Sequence, residues 1–445
     1  MPASAPVRDG DGDPEVCVIG AGTSGLAACR ALKEAGVPFV CFEAASGVGG
    51  LWRYDDPHGP NLAYASLRTN TSGRRMRFPS FPVESERFGF LGHSDVVDYL
   101  GAYARTHGLL DKIHFRTPVR RVAQVDGGWQ VETDAGVSRH RAVVVAGGRH
   151  SRPRMPHVDG ELDGPAIHVS AYRTPAPFAG KRVLVAGGGN SAAEVAAELA
   201  GSADQVLLSM RRGVHLLPRN LFGRPYDILD VPLLSRLPAA LSRPLFLGLI
   251  RLSRGRVDDA GLPRPDHRLR ERTATVSEEL VPLLRAGRVV VRPGVARLAG
   301  SEVEFSDGSR DRVDAAVWAT GYEIAFPFLP EGLVDEAHGP ALYRHIAHPD
   351  VERLFFVGIL DALGAFAPIV EAQGEWVADV LTGRLALPAQ AERWAAIELE
   401  RLRLSRQFVD DRPYTLYRER FPYIRQLQAD RRRRRRLSIP TMGGI

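Results

Sequence analysis

The feature that most constrains this chain is a strand, glycine turn, helix and strand unit that occurs twice, with opposite charge at the same station. In the first copy Val16-Cys17-Val18-Ile19 is a short apolar run rich in β-branched residues, suited to a buried parallel strand. Gly20-Ala-Gly22-Thr-Ser-Gly25 follows at once. The spacing then predicts a helix over 26–35, closed by Gly36, and a second strand over 37–42 with Glu43 at its end. Gly20 permits the tight turn, Gly22 lets the backbone approach a pyrophosphate, and Gly25 lets the helix pack on the strand. A diphosphate there meets the positive end of the helix dipole and its free N–H groups. Glu43, 23 residues after Gly20, accepts hydrogen bonds from a ribose 2′-OH and repels a 2′-phosphate, so this site fits FAD or NAD and not NADP.

The second copy begins at Lys181. Residues 182–186 read as a strand, Gly187-Gly188-Gly189-Asn190-Ser191-Ala192 as a GxGxxA turn, 193–200 as a helix and 205–209 as the next strand. Met210-Arg211-Arg212 replaces the acid at its end, and Arg211 lies 24 residues after Gly187. Guanidinium groups accommodate a 2′-phosphate, which selects NADP(H). The turn residues Gly187, Gly189, Asn190 and Ser191 and the pair Arg211 and Arg212 are the candidate contacts. One cradle for a flavin and one for a hydride donor describe a flavoprotein oxidoreductase. Its fold class is α/β, with two Rossmann-like dinucleotide-binding domains, the NADPH domain inserted in the FAD domain. The expected division is a flexible leader at 1–14, an FAD domain at 15–165 and 325–428, an NADP domain at 166–324, and an Arg-rich tail at 429–445. Within the NADP domain, 221–277 has weak strand signal and reads as a helical lid or packing insert. Its apolar stretch 239–252 is interrupted by Pro244, and a membrane-surface helix is the alternative reading.

Composition removes other classes. A hydrophobic fraction of 44% and a charged fraction of 25% exclude wholesale disorder. No run reaches the roughly 18–20 apolar residues of a membrane span, and the polar leader lacks a signal-peptide core. Cys17, Cys29 and Cys41 match neither a disulfide framework nor a metal site, so a reducing, cytoplasmic location is expected. Lys33, Lys112 and Lys181 are the three lysines, and the arginines at 431–436 equal the whole net charge of +6. The body is neutral, so the arginine run reads as a solvated tail and no nucleic-acid partner is expected.

Several further motifs, taken as a set, make the chain resemble the flavin-containing monooxygenases, the class B flavoprotein monooxygenases, over roughly residues 15–428. Gly47-Val-Gly49-Gly50-Leu51-Trp52 is similar to the family's GxGGxW element. Leu162 to Arg173, with Gly164, His168 and Tyr172, resembles its FxGxxxHxxxY[K/R] fingerprint, with Leu for Phe at the first position. Tyr172 stands where the Baeyer–Villiger branch usually has Trp. Ala319-Thr320-Gly321-Tyr322 is similar to ATGY, and Glu371-Ala-Gln373-Gly-Glu-Trp376 to the late E-x-Q-x-x-W helix. The insert, with Phe222-Gly-Arg-Pro225 and Gly261-Leu-Pro263, looks most like a bacterial subgroup and also resembles plant indole-pyruvate monooxygenases.

The resemblance implies FAD and NADPH as cofactors and a small-molecule substrate with O2 as co-substrate. It implies flavin reduction by NADPH, a 4a-hydroperoxyflavin, and attack on its distal oxygen by an amine nitrogen or a sulfur. Baeyer–Villiger oxygenation of a ketone and oxidative decarboxylation of a 2-oxo acid are the alternatives by the same intermediate. Asn70 matches the family's active-site asparagine and is the catalytic candidate; by itself it would read as a turn residue. The same likeness adds Gly50, Leu51, Trp52, Thr69, Val119 and Gln373 to the flavin side, where Ala146, after the strand expected over 142–145, also brings backbone near the first cradle, and Tyr172 and Thr320 to the nicotinamide side. His168 and Tyr172 are expected to orient the linker and the nucleotide. A homodimer is common in the family. A disulfide reductase shares both cradles but needs a redox cysteine pair, and no CxxC occurs. A nucleotide sensor without turnover is the non-enzyme reading.

Overall fold

Short runs of Val, Ile, Leu and Phe set the framework of the computed structural model, which describes residues 15–82, 89–229, 239–254, 260–335, 338–410 and 412–435. The chain runs through β1 (Val16–Ile19), α1 (Thr23–Glu34), β2 (Phe39–Phe42), α2 (His93–Thr106), β3 (Ile113–His114) and β4 (Ala142–Val145). It then enters β5 (Ala166–His168), β6 (Arg182–Ala186), α3 (Asn190–Leu199), β7 (Gln205–Ser209), β8 (Val289–Arg292) and β9 (Ala315–Trp318). It returns through β10 (Leu354–Phe356), α4 (Ala367–Leu381), α5 (Gln390–Ser405) and α6 (Arg420–Arg435).

Two five-stranded sheets result. The first has the order β10-β4-β1-β2-β3 and the second β8-β7-β6-β9-β5, with every neighbour pair parallel. Parallel strands are covered on both faces, which is why β1, β4 and β9 read as unbroken apolar runs and are buried throughout. The two passages between the sheets lie side by side: Arg152–Pro153 pairs antiparallel with Tyr322–Glu323. The fold is the two-domain, Rossmann-type α/β architecture.

α1 packs against α4 so closely that a Cβ on Gly374 would stand 2.8 Å from the Ala27 carbonyl oxygen. Buried Arg30 lies between them and donates to Glu34 at 2.9 Å and Glu375 at 3.0 Å. α6 also packs against α4. Its Arg431 donates to Asp379 at 2.6 Å and also to Glu375. The tail expected from residue 429 therefore begins inside a packed helix, because acidic residues on α4 neutralise the first arginine of the run. Residues 436–445, and the leader 1–14, lie outside the described residues. Arg431→Ala removes hydrogen bonds to two carboxylates at a half-buried site and is expected to cost about 1–3 kcal/mol. A lowered urea midpoint with unchanged slope checks it.

Cys17 on β1, Cys29 on α1 and Cys41 on β2 are buried and free. Cys29 and Cys41 share the core between α1 and the sheet, whereas Cys17 faces the opposite side of the sheet among Ile19, Val40 and Trp129. Burial pushes the Cys17 thiol far above its usual range, and the Cys29 hydrogen bond, then burial, does the same for Cys41.

In the insert, a helix over Ala239–Arg254 runs through Pro244, where an interruption was expected. Phe246 and Ile250 are buried against Leu217, Leu221, Leu269 and Val276, and this packing outweighs the one backbone bond that Pro244 cannot make. Residues 230–238 and 255–259 of the insert lie outside the described residues. Among the described residues no helix is long and apolar enough to cross a membrane.

Candidate active site

The first glycine turn lies at the carboxyl ends of β1, β2 and β4, where parallel α/β sheets bind ligands. The Gly20 N–H donates to the Phe42 carbonyl at 2.8 Å, and the Ala146 N–H to that of Ile19 at 2.9 Å. Gly25 has no room for a side chain: a Cβ would come 1.7 Å from the Gly20 carbonyl oxygen. Gly22 faces Gly50, whose own Cβ would stand 3.0 Å from the Gly22 Cα. Gly50, Leu51 and Trp52 form a single 3-10 turn there, half-buried. The buried Glu43 carboxylate accepts from the N–H groups of Ala21 and, at 2.8 Å, Ala45. Burial pushes this carboxyl up, and those two N–H groups pull it back. Two residues beyond Thr117, whose N–H donates to the Glu43 carbonyl, Val119 opens an antiparallel strand beside this end of β2.

These residues fit an extended dinucleotide with a free 2′-hydroxyl. Gly25→Ala is expected to yield protein without flavin, or none in soluble form; visible flavin absorbance per mole of protein reads it.

The second turn repeats the pattern at the ends of β6, β7 and β9. Gly187 holds φ at +149°, and a Cβ there would meet the Ala319 carbonyl oxygen at 2.3 Å. Its neighbours are pinned from the insert: Thr275 Oγ1 donates to the Gly188 carbonyl at 2.6 Å, and the Val276 N–H to Asn190 Oδ1 at 2.7 Å. Gly189, Asn190 and Ser191 lead into α3, whose first N–H groups face out of the turn. Arg211 and Arg212 are exposed beyond β7. The stem of Arg211 lies against Gly294, and Arg212 stands 4.0 Å from Asp266. This donor set suits a dinucleotide carrying a 2′-phosphate.

Between the turns, residues 64–72 join the two halves. Tyr64 is buried and donates to Glu194 on α3, Ser66 Oγ donates to Glu198 at 2.8 Å, and the Tyr172 hydroxyl donates to the same carboxylate at 2.9 Å. Arg219 donates to Glu194 at 2.5 Å and to Glu279 at 3.1 Å. Thr69 pairs with Leu91 through its N–H at 2.9 Å and its Oγ1 at 3.0 Å. Leu91 leads into α2, whose Val97 touches Gly49 of the flavin-side turn. The Asn70 carbonyl accepts from the Tyr226 hydroxyl at 3.1 Å, while its side-chain Oδ1 is buried with no partner among the described residues. An orphaned buried amide oxygen is costly unless a ligand completes it.

Four candidates have their side chains engaged by the protein. Tyr172 is fully buried, with its hydroxyl on Glu198. His168 Nε2 lies 3.0 Å from the Gly321 carbonyl oxygen, its Nδ1 2.9 Å from Ser170 Oγ, and burial lowers its pKa. Gln373 accepts from the Gly358 N–H at 2.8 Å and donates to Tyr423 at 2.9 Å. Thr320 Oγ1 donates to the Arg154 carbonyl at 2.5 Å. Sequence reasoning did not find Tyr64, Glu194, Arg219, Tyr226 or Asp227. The last two follow the singled-out Phe222-Gly-Arg-Pro225 directly, which was the available signal.

Comparison with known proteins bears on the same set. The flavin-binding monooxygenase-like family model matches residues 13–430. The chain is 34% identical to flavin-containing monooxygenase 5 of Cavia porcellus over 90% of its own length and 79% of that protein. It is 32% identical to flavin-containing monooxygenase 3 of Homo sapiens over 85% of its length and 75% of the relative. Among solved structures it is similar to S-allyl-L-cysteine S-oxygenase from Allium sativum, with 26% identity, a TM-score of 0.71, and coverage of 94% of this chain and 89% of that one. The expected likeness to a bacterial subgroup is not borne out by these mammalian and plant relatives. The chain belongs to the flavin-containing monooxygenase family and is an FAD- and NADPH-dependent monooxygenase.

Proposed function

We propose that this monooxygenase transfers one oxygen atom of O2 to a soft nucleophile, a sulfur or an amine nitrogen, on a small molecule. The carrying observation is Asn70, whose buried side-chain oxygen has no protein partner among the described residues, in the segment tied through Leu91 to the helix that touches the flavin-side turn. The 26% identity to a protein titled as an S-oxygenase supports sulfur.

Reduced by NADPH, bound FAD supplies the activation of O2. The chain's own part is to bind, orient and exclude water. Gly20, Gly22 and Gly25 with the start of α1 hold one diphosphate, and Glu43 holds the adjoining ribose. Gly50, Leu51, Trp52, Thr69, Val119 and Ala146 line the flavin, while Gln373 acts through Gly358. Gly187, Gly189, Asn190 and Ser191 hold the second diphosphate, and Arg211 and Arg212 its 2′-phosphate. Tyr172 and His168 brace the linker, and Thr320 flanks the nicotinamide. Asn70 presents its amide to the bound reactants, so that the oxygen atom reaches substrate instead of leaving as peroxide.

The lobes are assigned as 15–165 with 325–428 for FAD and 166–324 for NADPH. The assignment extends to a homodimer in a reducing, cytoplasmic setting. A screen of NADPH consumption, peroxide and product across thioethers, amines, 2-oxo acids and ketones tests the substrate class. Product from a ketone or a 2-oxo acid, with only peroxide from thioethers and amines, overturns it.

A further inference from the structure

Residues 69 and 73, which flank the Asn70 loop, are tied to the flavin side: Thr69 pairs with Leu91, and the Gly73 N–H donates to the Gly89 carbonyl at 2.9 Å. Residues 70–72 are held from the opposite side, by the insert. The Tyr226 hydroxyl donates to the Asn70 carbonyl at 3.1 Å, and the Ser72 N–H donates to Asp227 Oδ2 at 2.6 Å. Arg75 Nε donates to the Asp227 carbonyl at 3.3 Å. Tyr226 is itself braced, stacked on Phe90 at 6.3 Å and donating its N–H to the Arg219 carbonyl at 2.9 Å. Arg219 grips Glu194, which lies on α3 one turn beyond Asn190. A continuous series of contacts thus runs from the nicotinamide-side turn through α3, Glu194, Arg219 and Tyr226 to Asn70.

We propose that Tyr226 and Asp227 are positioning residues for Asn70, so that the insert, a part of the NADPH lobe, sets how tightly oxygen transfer is coupled to NADPH oxidation. The inference rests on the role given to Asn70 above. Neither side chain needs to touch substrate. Each fixes one backbone group of a three-residue loop, and a displacement of about 1 Å at a reacting group costs as much as about a hundred-fold in rate.

The test measures peroxide released per NADPH with a saturating thioether, the rate of flavin reduction by NADPH without oxygen, and flavin content. Asp227→Ala and Tyr226→Phe should each raise the peroxide fraction about five-fold or more, with reduction within about two-fold of the parent and full flavin content. Asp227→Asn keeps an oxygen acceptor for the Ser72 N–H and should fall between parent and Ala. Tyr226→Phe removes a single oxygen atom and carries the test if Asp227→Ala does not fold. Parent-like coupling in both variants, while Asn70→Ala leaks peroxide, overturns this inference alone. Reduction slowed in parallel with lost coupling overturns it too, since that marks general loosening. Parent-like coupling in Asn70→Ala overturns the Asn70 role and this inference with it.

Discussion

Asn70→Ala retains its FAD and oxidises NADPH, but releases hydrogen peroxide where the parent releases oxygenated product. The variant loses a side-chain amide whose buried Oδ1 has no partner among the described residues, and the Tyr226 contact goes to the backbone carbonyl. Folding and flavin binding are therefore spared. Removing one preorganised hydrogen-bonding group at a reacting centre costs about a hundred- to a thousand-fold in the step it serves. Here the cost falls on oxygen transfer, and decay to peroxide takes over. The ratio of peroxide to NADPH with a good thioether substrate measures it. A fully coupled variant would remove Asn70 from the chemistry.

Arg211→Ala is expected to raise the KM for NADPH about 10- to 100-fold, the worth of a charge-assisted contact to phosphate, and to leave NADH nearly untouched. Arg211 is the better placed of the pair: it is exposed, with its stem held along Gly294 and no carboxylate partner among the described residues. Arg212 already leans toward Asp266. The discrimination between the two dinucleotides is the readout, since a general weakening of the turn would affect both. Equal changes in the two KM values would defeat the assignment.

Much of the framework was legible because it is local. Each cradle is written within about thirty residues, where the apolar run, the glycines and the charged tip follow one another and the backbone geometry leaves few alternatives. Asn70 needed the family likeness, since a lone asparagine by itself reads as a turn residue. What escaped was long-range. Tyr64 meets Glu194 and Ser72 meets Asp227 across separations of 130 and 155 residues, and no periodicity registers such pairs. Arg431 reads as one of six identical letters until Asp379 and Glu375 are seen beside it. Pro244 looks like a break because its penalty is local, while the compensation, Phe246 and Ile250 seated on Leu221 and Val276, is tertiary.

An enzyme that handles activated oxygen is exposed to its own spilled oxidant. Thiols are attacked chiefly as thiolates, and access decides the rest. With Cys29 and Cys41 sealed between sheet and helix, Cys17 buried on the sheet's other face, and Cys17 and Cys41 kept protonated there, this chain carries sulfhydryl groups that a wasted turnover can scarcely injure. Uncoupled variants should for that reason outlast their by-product without losing a titratable thiol.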